Sequence, residues 1–260
     1  MKKTALLTLF FILSAHSAAA FTVEHDFTVI LGMFNASATK FSYSLSPQNY
    51  AVSSEVKTAG VFDSLYPFKA VYSTTGKIKK NDMETTSYKY QSKSRFTKRS
   101  KELVYDDNGT PVYRISTKND KAKKVEIDNN PDNKDTTDLQ TVFAKLAKQY
   151  NDVKFCDSRM EVFDGKRRFD VIFKDEGFDE LTPNDYSNIK GKAAKCSMFI
   201  DKLNSKDDDL LWELTSERPV YFWIMEDQSG KVPFIAKIAI DETPLGKLDV
   251  YAKNITVKDK

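Results

Sequence analysis

The strongest constraint on this chain is a period of two. From Phe27 onward, apolar and polar residues alternate in short runs separated by turn residues. An extended strand with one buried face needs that pattern; a helix has no use for it. The runs Phe27 to Phe34, Lys40 to Leu45, Tyr50 to Thr58, Phe68 to Thr74 and Met83 to Lys101 read as strands. Asn108-Gly109 tolerates the positive φ of a hairpin turn and joins Leu103-Val104-Tyr105 to the strand from Val112 to Ile115. The polar stretch near 118–136 reads as a loop with room for a short strand near Val125. Further on, PVYFWIMED is apolar on both parities, as in a strand covered on both faces. Ser229-Gly230 turns it into KVPFIAKIAID, and Leu245-Gly246 opens the last strand, Lys247 to Val257. Many antiparallel strands follow from this pattern.

One segment breaks the period. Leu139, Val142, Phe143, Leu146 and Tyr150 recur at helical spacing, and Thr137 with Gln140 has the form of a capping box. A helix near 137–150 with one apolar stripe is suited to lie on the sheet.

The most charged stretch, CDSRMEVFDGKRRFDVIFKD from Cys156, gathers a thiol, carboxylates and basic residues as a reactive site would. With Asp164-Gly165 as a two-residue turn, Glu161 falls opposite Arg168 and Arg159 opposite Asp170. Cys156, Met160, Val162, Phe169, Val171 and Phe173 then share the other face. The charges are accounted for by cross-strand pairing, about 0.2–1 kcal/mol per pair, and the cysteine points inward.

The chain opens with MKKTALLTLFFILSAHSAAAF. Lys2 and Lys3, the apolar run from Ala5 to Leu13, and Ala18 with Ala20 before the cut have the form of a secretory signal peptide over 1–20. The expected mature chain, 21–260, forms one β-rich domain in the periplasm, and no later apolar run is long enough for a membrane span. Losing Lys2 and Lys3 leaves 38 basic residues against 37 acidic ones, a net charge near +1 that argues against nucleic acid as partner. In an oxidising compartment, the only two cysteines, Cys156 and Cys196, read as a disulfide. Cys196 belongs to an alternating run, with Ala194, Met198 and Ile200 on its parity, beside the hairpin.

The order of these features resembles a known family. The YSLSPQNYAVSSEVKTAGVFDSLYPFKAVYSTTGKI run, the TTDLQTVFAKLA helix, VFDGKRRFDVIF, a following cysteine, and PVYFWIMEDQSGKVPFIAKIAIDETPLGKLDVY look like domain-of-unknown-function family 3108, exported proteins of Gram-negative bacteria. The resemblance spans nearly all of the mature chain. It implies a mainly β envelope protein: a large curved antiparallel sheet, an open half-barrel or spiral similar to lipoprotein-localisation carriers, packed against one amphipathic helix. It implies no catalytic residues, because the family carries no established activity.

Chemistry is sparse in the residues themselves. After the leader the sole histidine is His25, read as a solvent-facing residue just ahead of the first strand rather than as a triad member. The chain lacks a G-x-S-x-G elbow, the Cys/His sets that hold zinc, and a glycine loop for phosphate. DNNPDNKD, from Asp128, fails as a calcium loop: its sixth position is Asn133 and its twelfth Leu139. Asp207 to Asp209 read as an acidic loop. No metal, cofactor or catalytic residue is therefore expected. On the strand from Tyr88 to Lys101, the residues Lys89, Lys93, Arg95, Arg99 and Lys101 share one parity and form a basic strip, with Tyr88, Tyr90 and Phe96 on the other. Such a strip suits anionic lipid, wall polymer or an acidic protein; its plainer role is an edge strand kept soluble by its lysines. These observations favour a non-enzymatic envelope protein that binds an apolar or amphiphilic component, or a protein partner. The alternative is a carboxylate-dependent hydrolase of wall glycans.

Overall fold

The structure is a computed structural model and describes residues 20–79, 82–127, 136–202, 218–227, 230 and 232–259. Residues 1–19 of the expected leader, the DNNPDNKD stretch and Asp207 to Asp209 lie outside the described residues. Fourteen strands among the described residues join one antiparallel sheet. The first eight are β1 (Phe21–Leu31), β2 (Phe34–Leu45), β3 (Asn49–Thr58), β4 (Phe68–Lys79), β5 (Asp82–Ser94), β6 (Lys98–Tyr105), β7 (Pro111–Lys118) and β8 (Lys121–Glu126). The other six are β9 (Ser158–Phe163), β10 (Arg168–Leu181), β11 (Gly191–Lys202), β12 (Val220–Glu226), β13 (Pro233–Ile240) and β14 (Leu248–Asp259). A short helix, α1 (Gly60–Leu65), joins β3 to β4, and α2 (Leu139–Val153) precedes β9.

The order across the sheet is β8-β7-β6-β5-β4-β3-β2-β1-β14-β13-β12-β11-β10-β9. Each arm is a run of hairpins between sequence neighbours. The exception is the central seam, where β1 meets β14 with Phe21 opposite Asp259. The sheet is curved but not closed, since β8 and β9 are its two edges. The β9 edge is covered by the segment before α2: Thr137 N–H donates to the Glu161 carbonyl (2.9 Å), and Phe163 N–H donates to the Thr137 carbonyl (3.0 Å). The β8 edge, KAKKVE, carries lysines, which discourage pairing with another chain.

Helix α2 lies in the trough and touches β3, β4 and β5 on one arm and β9 and β13 on the other. Its stripe of Val142, Leu146 and Tyr150 is buried against Val162, Phe173, Phe222 and the Cys156–Cys196 disulfide. The Phe143 and Phe222 ring centroids are 5.7 Å apart. Burying side chains of this size stabilises the fold by about 1.5–3 kcal/mol each. Leu139, assigned to the stripe from its spacing, is 39% exposed.

The helix is capped by Asp138, not by the expected capping box from Thr137. The Asp138 carboxylate accepts from the backbone N–H groups of Gln140 (3.0 Å) and Thr141 (3.3 Å). It also accepts from the hydroxyls of Thr74 and Thr85, both at 2.8 Å, and of Thr141. Tyr50 Oη joins this cluster, 3.1 Å from Thr85 Oγ1 and 2.9 Å from Thr141 Oγ1. The helix start is thus fastened to β3, β4 and β5 by a buried polar cluster.

The hairpin register differs from expectation by two residues, so each side chain keeps its face. Asp164 N–H donates to the Arg167 carbonyl, and the Asp164 carboxylate accepts from the N–H groups of Lys166 and Arg167. The turn therefore spans Asp164 to Arg167, and Phe163 pairs with Arg168, Val162 with Phe169 and Glu161 with Asp170. Both expected ion pairs exist, Arg168 with Glu161 and Arg159 with Asp170, but as diagonals rather than as directly opposed partners. Cys156, Val162, Phe169, Val171 and Phe173 are buried.

Two strand boundaries also move. Gly32, at φ 60, turns β1 into β2, so Phe27 to Phe34 is two strands. Met83 to Lys101 is likewise two, with a turn at Arg95-Phe96-Thr97. The region read as a polar loop holds β8 around Val125.

Candidate functional site

The concave face of the β4–β7 arm is built by register. Tyr72 lies opposite Tyr90, Tyr90 opposite Lys101 and Lys101 opposite Ser116, so all four share one face. The neighbouring row on that face runs Thr74, Tyr88, Leu103 and Arg114. Thr74 reaches the Asp138 cap of α2, which identifies the face as the inner one. Toward the α2 end the face is dry, with Leu103 at 1% exposed. Toward the other end it opens.

The tip of the β9–β10 hairpin arrives here from the opposite arm. Lys101 Nζ donates to the Asp164 carbonyl (3.2 Å), and Arg114 donates to the Gly165 carbonyl (2.8 Å). Gly165 suits the junction: its φ is +86, and a Cβ there would sit 2.4 Å from Leu103 Cδ2. Below the junction a basin of about 930 Å³ opens to solvent. Phe68 of β4, Tyr90 of β5, Thr58 of β3 and Tyr66, just after α1, form one side. Among the described residues Arg99, Lys101, Arg114, Lys166 and Arg167 contribute five cations to the lining, and Asp164 is the single carboxylate.

Charge in the basin is lopsided. The Asp164 carboxylate is held by Arg167 through Nε (3.0 Å) and Nη2 (2.7 Å). Burial alone would raise its pKa, but the Lys101 charge and the Arg167 hydrogen bonds outweigh burial and keep it below the usual carboxylate range. Burial pushes the Lys101 ammonium down; Asp164 draws it back, and Arg167, Arg114 and Lys166 depress it further.

The expected basic strip does not exist as one surface. Arg95 sits in the turn, and beyond it the chain reverses. Lys89 is paired with Glu102 on the convex side, and Lys93 shares that side, while Arg99 and Lys101 stand on the concave side with Tyr90. Phe96 is 78% exposed at the turn. Arg114, Lys166 and Arg167, which complete the basin, carry no local signal of it, because separate arms supply them. The remaining hairpin residues, Arg159, Glu161, Arg168 and Asp170, form the ion pairs described above, away from the basin lining.

His25 was expected to face solvent but is 3% exposed on the inner face of β1. It stacks on Phe27 (5.4 Å between centroids) and stands near Phe41 and Phe234 (5.9 and 6.2 Å). It lines a small apolar cavity of about 30 Å³ under α2 with Phe143 and Leu146, and its Nδ1 has no hydrogen-bond partner. Burial lowers its pKa to about 4, against a weaker upward pull from Asp26. The unfolded chain therefore takes up this proton near pH 6.5, before the folded one does. Stability is expected to fall as pH drops from about 6.5 toward 4, by on the order of 3 kcal/mol from this group. Urea midpoints across that window should flatten in His25→Phe; an unchanged slope would locate the dependence elsewhere.

Asp82 and Asp164 both sit below the ordinary carboxylate range, burial being outweighed by Lys145 at the first and by Lys101 and Arg167 at the second. A general acid needs the opposite displacement. Among the described residues no three His, Cys, Asp or Glu side chains gather as metal ligands. Nor is any described helix long and apolar enough to cross a membrane.

A sequence profile for the family described as "Protein of unknown function (DUF3108)" matches residues 26–251. No curated protein matches the chain. Among solved structures, the chain is similar to the crystal structure of a beta-barrel-like protein of domain of unknown function DUF1849 from Brucella abortus. The TM-score is 0.50 at 8% identity, covering 93% of this chain and 99% of that one. At that identity the likeness is one of fold.

Proposed function

This chain belongs to the DUF3108 family, whose description assigns no activity, and from that premise we propose that it is an exported, non-enzymatic envelope protein that binds an apolar or amphiphilic component in its concave face. One observation carries the reading: the inner face opens into a basin of about 930 Å³ lined by aromatic, hydroxyl and cationic side chains. Small-molecule sites typically fall between about 300 and 1,000 Å³ and combine apolar walls with a few converging polar groups. The sheet supplies a rigid wall, and the hairpin tip fixes one rim. Export rests on the leader: its basic start, its apolar run and its Ala-x-Ala end are those of a secretory signal.

Native mass spectrometry of the exported chain, purified without detergent from cells that make it, tests this reading. The expected result is a mature mass beginning at Phe21 with a stoichiometric adduct that organic extraction removes. A chain that keeps its leader and stays in the cytoplasm would refute export. A bare mass that no lipid or glycan extract shifts would refute ligand binding and leave a scaffold for envelope proteins.

A further inference from the structure

We propose that the ligand of this basin is a phosphoryl-headed amphiphile, its anionic head held by Arg99, Lys101, Arg114 and Arg167 and its apolar part lying on Tyr66, Phe68 and Tyr90. The inference rests on the reading of the basin as a binding site and narrows the chemistry of what enters it.

The first support is uncompensated charge. Among the described residues Asp164 is the only carboxylate lining the basin, and Arg167 and two backbone N–H groups already engage it. Lys101 and Arg114 reach only neutral carbonyls. Among the described residues Arg99 has no acid partner, although it lies on the same inner face two residues from Lys101. Like charges collected on a partly desolvated wall repel one another, and a bound anion relieves that repulsion. The second support is unused donor capacity. A guanidinium carries five N–H donors in a fork matched to phosphate oxygens. Arg114 spends one donor on Gly165, and its buried Nε has no acceptor.

The third support separates an amphiphile from a free phosphate. The basin far exceeds the size of one phosphate, and its far side is aromatic. Tyr66 is 56% exposed at the rim and stacks on Phe68 with centroids 6.4 Å apart, while Tyr90 packs on Tyr72 at 4.8 Å. One exposed and two half-buried rings beside a cationic wall suit glycerol and acyl carbon joined to an anionic head. A bare phosphate would leave that side of the basin empty.

The test is calorimetric titration of the mature chain with three soluble probes: dihexanoylphosphatidylglycerol below its micelle concentration, dihexanoylphosphatidylcholine, and glycerol 1-phosphate. The phosphatidylglycerol probe is expected to bind at one site, at least ten-fold more tightly than either of the others. Raising the salt should weaken it. Arg99→Gln, at an exposed position with no partner to lose, should reduce its affinity at least ten-fold while leaving circular dichroism and Tm unchanged. Equal binding of the two lipids, insensitive to Arg99→Gln, would overturn the headgroup assignment and leave the binding reading standing. Equal binding of glycerol 1-phosphate would overturn the amphiphile and make the basin a simple phosphate site. Silence from all three probes, with a different ligand on the native protein, would overturn this inference alone. Silence with a bare native mass would overturn the binding reading as well.

Discussion

Asp138→Ala is expected to destabilise the protein by about 3 kcal/mol. An N-cap of this kind contributes about 1 kcal/mol, and each buried donor left without an acceptor costs about 1–3 kcal/mol, partly recovered by re-pairing. Here the loss removes an acceptor from the hydroxyls of Thr74, Thr85 and Thr141 and from two backbone N–H groups inside the trough. Thr74 can still turn to Gln140 Oε1 and Thr85 to Tyr50, which keeps the effect below the full sum. For a chain of this size the change should lower Tm by roughly 6–12 °C. Asp138→Asn keeps one acceptor oxygen and should show less than half the effect. The measurement is urea unfolding with an unchanged m-value. A loss under 1 kcal/mol for the alanine variant would mean that α2 is held by its apolar stripe alone.

Removing the disulfide should have a comparable effect. The bridge joins residues 40 apart, with Cα atoms at 6.1 Å. Closing a loop of that length stabilises by about 4 kcal/mol in the chain-entropy account. Its position adds a second consequence. The bridge links the segment before β9 to β11, spanning β10, and so fastens the edge strand across its neighbour. That edge hairpin carries the tip that meets Lys101 and Arg114. Replacing both cysteines by alanine should lower stability by about 4 kcal/mol and also weaken the binding proposed for the basin. Both sulfurs are 0% exposed, so dithiothreitol should reduce the native protein no faster than it unfolds. Rapid reduction under native conditions would show that the edge opens locally.

Sequence patterning carried the architecture further than the site. The alternating runs, α2 and the inward parity of Cys156 and Cys196 follow from periodicity, which burial enforces residue by residue. The hairpin register slipped because Asp164 binds the two amides ahead of it, making a four-residue turn where Asp-Gly suggests two. The β5–β6 turn, Arg95-Phe96-Thr97, contains no Gly, Pro, Asn or Asp, so the chain gave no sign of reversing and two faces were read as one basic strip. His25 did carry a signal: it shares parity with Val23 and Phe27 between Glu24 and Asp26. Starting the first strand at Phe27 hid it. The basin had no such signal. Arg99 and Lys101 come from one arm and Arg167 from the other, and only the curvature of the sheet brings them together.

The seam between β1 and β14 sets the order in which this protein can be assembled. Every other strand pairs with a neighbour in sequence, so each arm consists of short-range contacts that form early and with little loop-closure entropy. The seam pairs the first strand with the last, Phe21 with Asp259. During synthesis, β1 can find β2 at once, but its other edge stays unpaired until β14 has emerged. For that whole interval the nascent arm presents a strand bearing Val23, Phe27 and Ile30 as an open template for any passing chain. Until that last strand arrives, the open edge is the part of this fold most exposed to wrong pairing.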